Sequence, residues 1–410
     1  MILLDGAPVV DKRSKVKVGV LVVENDECFG KFAVARLMEV EVGLLERLEG
    51  LNFALELRLA DDDAAAAAVV VNYATDVLRK LLEHPHVVES AKKLKAAKVV
   101  VIQPPTPSGN IDDEPSEETH PADSRFVYVF QKEYATVDPA TVQLVGTDEV
   151  TTCIGLAIRN PATGMTSVGH FDSAEYAAKG VEQVIASHGV RDPTVFQVHL
   201  VGGYDETRDL YESEFRDSQG DELQSRYSLP LSLKIVQTLQ KSKHMFEIGY
   251  LCILQLNTIM GANEYACPAV RGLVVETKTG IVRPAKFQGG ARGPDTTVRL
   301  VCTTTVSSDP SWDTSLLSPY QTNSDSYIIK PSKWSRVFET YARYMLSLND
   351  DEFLQTFSTS PYAEGPDFLE NCRRVFNFML KSPDWRETFP NGKPRVFTRA
   401  EEGGWVQLTS

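Results

Sequence analysis

The chain has 410 residues, with 42 Lys and Arg against 56 Asp and Glu, a net charge of −14, 42% hydrophobic and 24% charged residues. Such a chain is globular, not disordered, and long enough for two or three domains. The acidic balance, with no basic stripe interleaved with aromatics, excludes nucleic acid as a partner and weakly favours cationic ones.

In chain order, residues 1–10 read as a short strand, and V-K-V-G-V-L-V-V at 16–23 as another. Asp61, Asp62 and Asp63 suit the positive end of a helix dipole, and residues 64–82 form a helix ending near His84-Pro85. Residues 87–97 read as a second, amphipathic helix and 98–102 as a short strand; residues 103–123, acidic and proline-rich, read as a disordered loop. Alternation over 126–130 marks a strand that leads through 142–145 into a hairpin. Residues 174–188 are helical, with Tyr176, Val181, Val184 and Ile185 on the inner face; 195–201 is a strand, and 205–215 and 230–242 are helices. A long strand is expected at 247–257, and a hairpin from 270–276 to 281–287 across Lys278-Thr279-Gly280. The glycine-rich 288–294 lacks G-K-[ST] and the strand and helix context of a phosphate loop. Residues 311–327 read as loop with strand fragments. Helices follow at 333–347, with Trp334, Phe338, Tyr341 and Met345 as a core stripe, at 350–357 and at 366–380, and a closing hairpin spans 395–408. Strands and helices interleave without a βαβ rhythm, so the fold class is α+β: layered mixed and antiparallel sheets with flanking helices. The expected organisation is an N-terminal segment, 1–100, holding two helices and an unassigned insertion at about 12–76; a disordered loop, 101–123; and a core, 124–410, ending in a helical and hairpin region.

Six cysteines, Cys28, Cys153, Cys252, Cys267, Cys302 and Cys372, lie without C-x-x-C spacing and read as reduced thiols of the cytoplasm or nucleus. No H-E-x-x-H occurs, and His84 and His86 merely flank Pro85, so no metal or cofactor is expected. Asp5 lies within the first apolar run and residues 18–23 are too short to span a bilayer, so no secretion signal and no membrane helix are read.

The stretch 144–172 organises the chain. An apolar run from Cys153 to Ile158 is followed by the turn signal N-P-A-T-G at 160–164 and a second run ending at Gly169-His170. Antiparallel pairing brings Cys153 and His170 to one end of a hairpin. A free thiol, with a pKa of about 8.5, is little ionised at neutral pH, and a neighbouring imidazole repairs this by taking its proton to form a thiolate–imidazolium pair. Thr147 is placed to orient the ring through its hydroxyl. The competing reading is that Cys153 is a small buried hydrophobe.

T-D-E-V-T-T-C at 147–153, H-F-D at 170–172, V-H-L-V-G-G-Y at 198–204 and S-T-S-P-Y-A-E-G-P-D-F at 358–368 together resemble the protein N-terminal asparagine amidohydrolase family, over residues 87–410. The Thr/Cys/His spacing is also similar to that of the chemotaxis receptor glutamine deamidases and, more loosely, the cytotoxic necrotizing factors, whose fold the resemblance implies. It further implies that Cys153 is the nucleophile, His170 the base and acid, and Thr147 the orienting group. The implied substrates are proteins or peptides with a free N-terminal Asn, and the implied downstream partners are an arginyl-transferase and the N-degron machinery. His199 competes with His170 but is favoured as structural. An α-ammonium entering a pocket needs an anionic partner, and Glu364 leads, with Asp148 and Asp172 as alternatives. Gly202 and Gly203 offer either close backbone approach to a substrate or a strand-ending turn. The rival functions are a deamidase of internal glutamine and a non-catalytic module that binds N-termini.

Overall fold

The computed structural model describes residues 2–4, 16–21, 35–40, 76–104, 125–206, 227–261, 265–334, 337–401 and 403–408. The chain divides into two compact units, 6–72 and 1–5 with 73–410. In the smaller, β2 (Val16–Leu21) pairs antiparallel with β3 (Ala35–Val40).

The larger unit is built on two sheets. In the first, the order is β1 (Ile2–Leu4), β11 (Met245–Cys252), β10 (Val195–Gly202), β8 (Ile154–Arg159), β9 (Thr166–Phe171) and β6 (Tyr134–Val137). β1 and β10 run parallel to β11, and the other pairs are antiparallel. The second has the order β4 (Val100–Ile102), β15 (Val282–Phe287), β14 (Leu273–Glu276), β7 (Leu144–Thr147) and β5 (Phe126–Tyr128), with parallel pairs at both edges. This is the expected mixed α+β architecture.

Successive strand residues point to opposite faces, so each sheet serves two layers. Ile154, Leu156, Ile158, Val198 and Leu200 pack with Val181, Val184, Ile235 and Leu239 of α2 (Ala174–Ala186) and α3 (Ser228–Lys241). From the other face, Ala135, Val137, Ala157 and Val168 join Val145, Leu273 and Val275 of the second sheet in one core. His170 and Thr147 belong to that inter-sheet layer.

The expected helix at 87–97 is α1 (Pro85–Ala96), N-capped by His84. Of the expected 64–82 helix, residues 76–83 are helical and the rest lies outside the described residues, as do the expected loop from 105 to 123 and the helix at 207–215. Residues 101–102 belong to β4 instead of that loop, because they pair with Lys286 and Phe287. The long 247–257 strand stops at Cys252, since Leu254 takes a left-handed backbone (φ 49°) and opens a 3-10 turn. β12 (Thr258–Met260) and β13 (Ala266–Pro268) form a small hairpin, and α4 (Thr296–Thr305) follows the glycine-rich turn.

The C-terminal layer holds β16 (Tyr320–Gln321), β17 (Ser326–Ile329), α5 (Val337–Ser347), α6 (Asp350–Phe357), α7 (Phe368–Lys381), α8 (Trp385–Thr388), β18 (Arg395–Arg399) and β19 (Trp405–Gln407). The helix expected from 333 begins at Val337, so Trp334 of the expected stripe precedes α5; Trp334 and Met345 are buried, but Tyr341 is exposed, its ring edge-on to Phe376. Among the described residues no helix is long and apolar enough to cross a membrane.

Candidate active site

The hairpin forms as the spacing predicts. β8 and β9 pair with Ile154 opposite Phe171 and Gly155 opposite His170, so Cys153, just before β8, adjoins the end of β9. Gly155 leaves little room here. A side chain at that position would start 3.1 Å from Thr147 Cγ2 and 3.2 Å from Leu273, in the space where β7 reaches across to β9.

Thr147 Oγ1 donates to the Val129 carbonyl at 2.7 Å and lies 2.8 Å from His170 Nδ1. A hydroxyl has one proton, so with that proton on Val129 the contact to the ring is accepted from Nδ1–H. The tautomer is thereby set. Nε2 keeps its lone pair and, although buried, has no hydrogen-bond partner. A histidine held in this way is a base waiting for a proton.

Cys153 and His170 line one cavity of about 280 Å³, with Lys132, Asp148, Glu149, Thr151, Thr152 and Glu364 among the other lining residues. Burial pushes the Cys153 thiol well above its ordinary value; Asp172 and Glu364 add to this, and Lys132 opposes it. Burial also lowers His170 to about 3. Burial thus works against both charged forms of the expected thiolate–imidazolium pair.

The segment 148–153 that carries the nucleophile is clamped on several sides. Glu149 has a left-handed backbone (φ 58°), and its carboxylate meets Arg292 Nη2 at 2.6 Å. The Thr151 and Ser360 hydroxyls lie 2.9 Å apart, the Thr152 and Thr359 hydroxyls 2.8 Å apart, and Ser228 Oγ donates to Thr152 O at 3.3 Å. Gly202 (φ 110°) approaches so closely that a Cβ would stand 2.5 Å from the Cys153 carbonyl oxygen, and Gly203 packs on Ile154 and Ser228. Neither glycine lines the cavity. Both close the end of β10 against the segment that carries the cysteine.

The three candidate carboxylates separate by their partners. Asp148 Oδ1 accepts from the Tyr128 hydroxyl at 2.7 Å, while its Oδ2 takes the Phe287 N–H at 2.6 Å and lies 3.4 Å from Arg292. It is spent on the fold. Asp172 Oδ2 binds Gln131 and lies 3.4 Å from Lys132 Nζ, and its buried Oδ1 has no partner. Glu364 lines the cavity, with only Oε1 engaged, by Ser358 and, at 3.1 Å, by Ser360. Burial pushes it up to about 7, against the pull of those two hydroxyls and Arg271.

His199 lies outside the cavity, with Nδ1 accepting the Tyr250 N–H at 3.2 Å. Lys132 carries no pattern that marks it in the sequence, Arg292 stands within the discounted glycine-rich stretch 288–294, and Thr359 and Ser360 lie in the 358–368 motif, where only Glu364 is given a role. Among the described residues no cluster of His, Cys, Asp and Glu could hold a metal.

A family model described as protein N-terminal asparagine amidohydrolase matches residues 115–407 of the chain. The chain is similar to the protein N-terminal asparagine amidohydrolase of Arabidopsis thaliana, 41% identical over 298 residues that cover 72% of this chain and 85% of that protein. It is also similar to the Homo sapiens protein of the same name, 26% identical over 290 residues covering 69% and 84%, and to that of Sus scrofa, 27% identical over 291 residues covering 69% and 84%.

Proposed function

Because this chain belongs to the protein N-terminal asparagine amidohydrolase family and is thus an amidohydrolase, we propose that it hydrolyses the side-chain carboxamide of N-terminal Asn, giving N-terminal Asp and ammonia through a thioester on Cys153. The observation that carries the mechanism is the buried His170 ring, held through Nδ1 by Thr147 and unpartnered at Nε2, in one cavity with Cys153.

The Cys153 sulfur attacks the carboxamide carbon while its proton passes to His170 Nε2. Both groups start neutral, so proton transfer accompanies attack. The tetrahedral intermediate then expels nitrogen as ammonia, taking the proton back from Nε2. Water, deprotonated by the same nitrogen, attacks the thioester and releases aspartate with the thiol restored. Thr147 holds the ring in the tautomer that both half-reactions need. No cofactor enters these steps.

Glu364 binds the substrate's α-ammonium. Asp148 ranks behind it because its oxygens are already committed to Tyr128, Phe287 and Arg292, and Asp172 because it already faces the Lys132 ammonium and, unlike Glu364, is not among the residues lining the cavity. The Thr147, Cys153 and His170 set is of the kind found in the chemotaxis receptor deamidases and cytotoxic necrotizing factors, to whose fold we assign the core. The substrates are proteins and peptides beginning with Asn. The reaction runs in the cytoplasm or nucleus and feeds the N-degron pathway, in which new N-terminal Asp is arginylated and marked for degradation.

The deciding experiment is mass spectrometry of three peptides incubated with the protein: Asn-initiated, N-acetylated Asn-initiated, and with an internal Gln. The expected result is a gain of about 1 Da, amide to acid, on the first alone. Equal rates on the free and acetylated peptides overturn ammonium recognition. Conversion of the internal Gln alone makes the protein a glutamine deamidase, and no conversion leaves a module that binds N-termini.

A further inference from the structure

Lys132 is held in place by the base. In the turn between β5 and β6 its N–H donates to the His170 carbonyl at 2.9 Å, and the His170 N–H donates to the next residue, Glu133, at 3.0 Å. Its own carbonyl accepts from Leu317 N at 2.8 Å. The backbone at Lys132 is left-handed (φ 62°), a conformation that costs an L-residue with a Cβ and that glycine would adopt freely. Such strain persists where surrounding bonds fix it, and it gathers at functional sites.

The side chain has a matching peculiarity. Its ammonium lies 3.4 Å from Asp172 Oδ2 and 3.4 Å from the Thr303 carbonyl, two long contacts for a group with three donors. It lines the cavity with Cys153 and His170, and among the described lining residues it is the one cation beside three carboxylates, Asp148, Glu149 and Glu364. Arg292 pairs with both Asp148 and Glu149 from outside the lining. The other charged groups of the lining are Glu364, held by two serine hydroxyls, and Lys132, whose ion-pair contact to Asp172 is long. A substrate with an α-ammonium, at whose carboxamide negative charge develops, matches that pair.

We propose that Lys132 is the electrostatic counterpart of the reaction, stabilising the oxygen that receives the carboxamide electron pair and, before that, the charge growing on the Cys153 sulfur. The proposal rests on Cys153 as nucleophile. As the S–C bond forms, the C=O π pair moves onto oxygen and the thiol proton goes to His170 Nε2; as the C–N bond breaks, that pair returns and nitrogen leaves with the proton. A fixed ammonium beside the oxygen lowers the barrier at both crossings of the intermediate, because it needs no reorganisation when the charge appears.

The test compares Lys132→Met, Lys132→Gly and Lys132→Arg in the full chain. Lys132→Gly removes the charge while relieving the left-handed backbone, so it protects the experiment against a Met variant that fails to fold. Turnover of an Asn-initiated peptide is measured beside alkylation of Cys153, read at that residue by peptide mass spectrometry, with anionic iodoacetate and neutral iodoacetamide from pH 6 to 10. The groups facing the sulfur over that range are His170, Asp172, Glu364 and Lys132. The Met and Gly variants are expected to lose roughly 10²-fold in kcat, to slow Cys153 alkylation by iodoacetamide at each pH because less thiolate is present, and to lower the iodoacetate-to-iodoacetamide ratio several-fold; Lys132→Arg restores the ratio. Unchanged alkylation rates and an unchanged ratio in both the Met and Gly variants overturn the proposal, whatever turnover does. If instead Cys153→Ala still releases ammonia, it is the nucleophile that has been misassigned.

Discussion

His170 and His199 stand on the same face of one sheet, opposite Gly155 and Ala157 of the strand between them. Burial lowers both, His170 to about 3 and His199 to about 4. Neither depth nor basicity tells them apart. The difference lies in which ring nitrogen the fold occupies. His199 spends its lone pair at Nδ1 on the Tyr250 N–H, and its ring fills the space left by Gly249. His170 donates from Nδ1 to Thr147 and leaves Nε2 unpartnered in a cavity shared with a thiol. A buried histidine becomes a base when the protein satisfies its proton and leaves its lone pair free.

The largest effects belong to the thiol and the free nitrogen. Cys153→Ala is expected to abolish turnover with the melting temperature nearly unchanged, since a small side chain at a strand end adds little packing. His170→Ala should lower kcat by roughly 10²–10⁴-fold, the usual contribution of general acid–base catalysis. Ammonia release at the wild-type rate by either variant would break the contrast between the two histidines.

Glu364→Gln comes next. A charge-assisted hydrogen bond contributes about 1.5–3 kcal/mol, so kcat/KM for an Asn-initiated peptide should fall roughly 10–10²-fold. The pH profile sharpens the point. Glu364 must be ionised to bind an ammonium, and burial raises it to about 7, so wild-type kcat/KM should decline as pH drops through that value. His170, at about 3, stays neutral over the same range. The acid limb thus belongs to the carboxylate and should disappear in Glu364→Gln; a limb that survives intact assigns it to another group. Thr147→Ala, which removes the hold on the ring but not the base, should cost less, roughly tenfold in kcat. Thr147→Ser should recover most of that loss, and a serine variant as slow as alanine would show that the hydroxyl is not what orients the ring.

What could be read from the chain was local. The β8–β9 hairpin follows from two apolar runs around N-P-A-T-G, and α6 from Asn349 and Glu352, which form a capping box. Cys153, His170 and Thr147 were legible because one hairpin and the strand before it bring them together. The hydroxyl of Ser360 on Thr151, Arg292 on Glu149 and the Lys132 turn on His170 were not, since each joins segments whose meeting depends on the complete packing of two sheets and a C-terminal layer. The same dependence bears on the protonation state of the pair. Spacing suggests that an imidazole will ionise a thiol, but only the depth of both groups decides whether the ions survive without water.

The smallest effect on activity is expected at His199, and it tests the structural half of the comparison through stability. His199→Ala leaves the Tyr250 N–H without an acceptor, a loss of about 1–3 kcal/mol, and empties the space of the ring. Gly249→Ala attacks the same spot from the other side, because its Cβ would stand 2.4 Å from His199 Cε1, well inside any real contact. Each variant alone should lower the melting temperature by several degrees, while kcat stays within about twofold of wild type because the cavity around Cys153 is untouched. Combined, they should not add: with the imidazole gone, the new methyl occupies the void, and the double variant should be more stable than the sum of the single losses indicates. Strict additivity would mean that the ring does not press on Gly249, and a large fall in kcat for His199→Ala with the fold intact would make His199 the base after all.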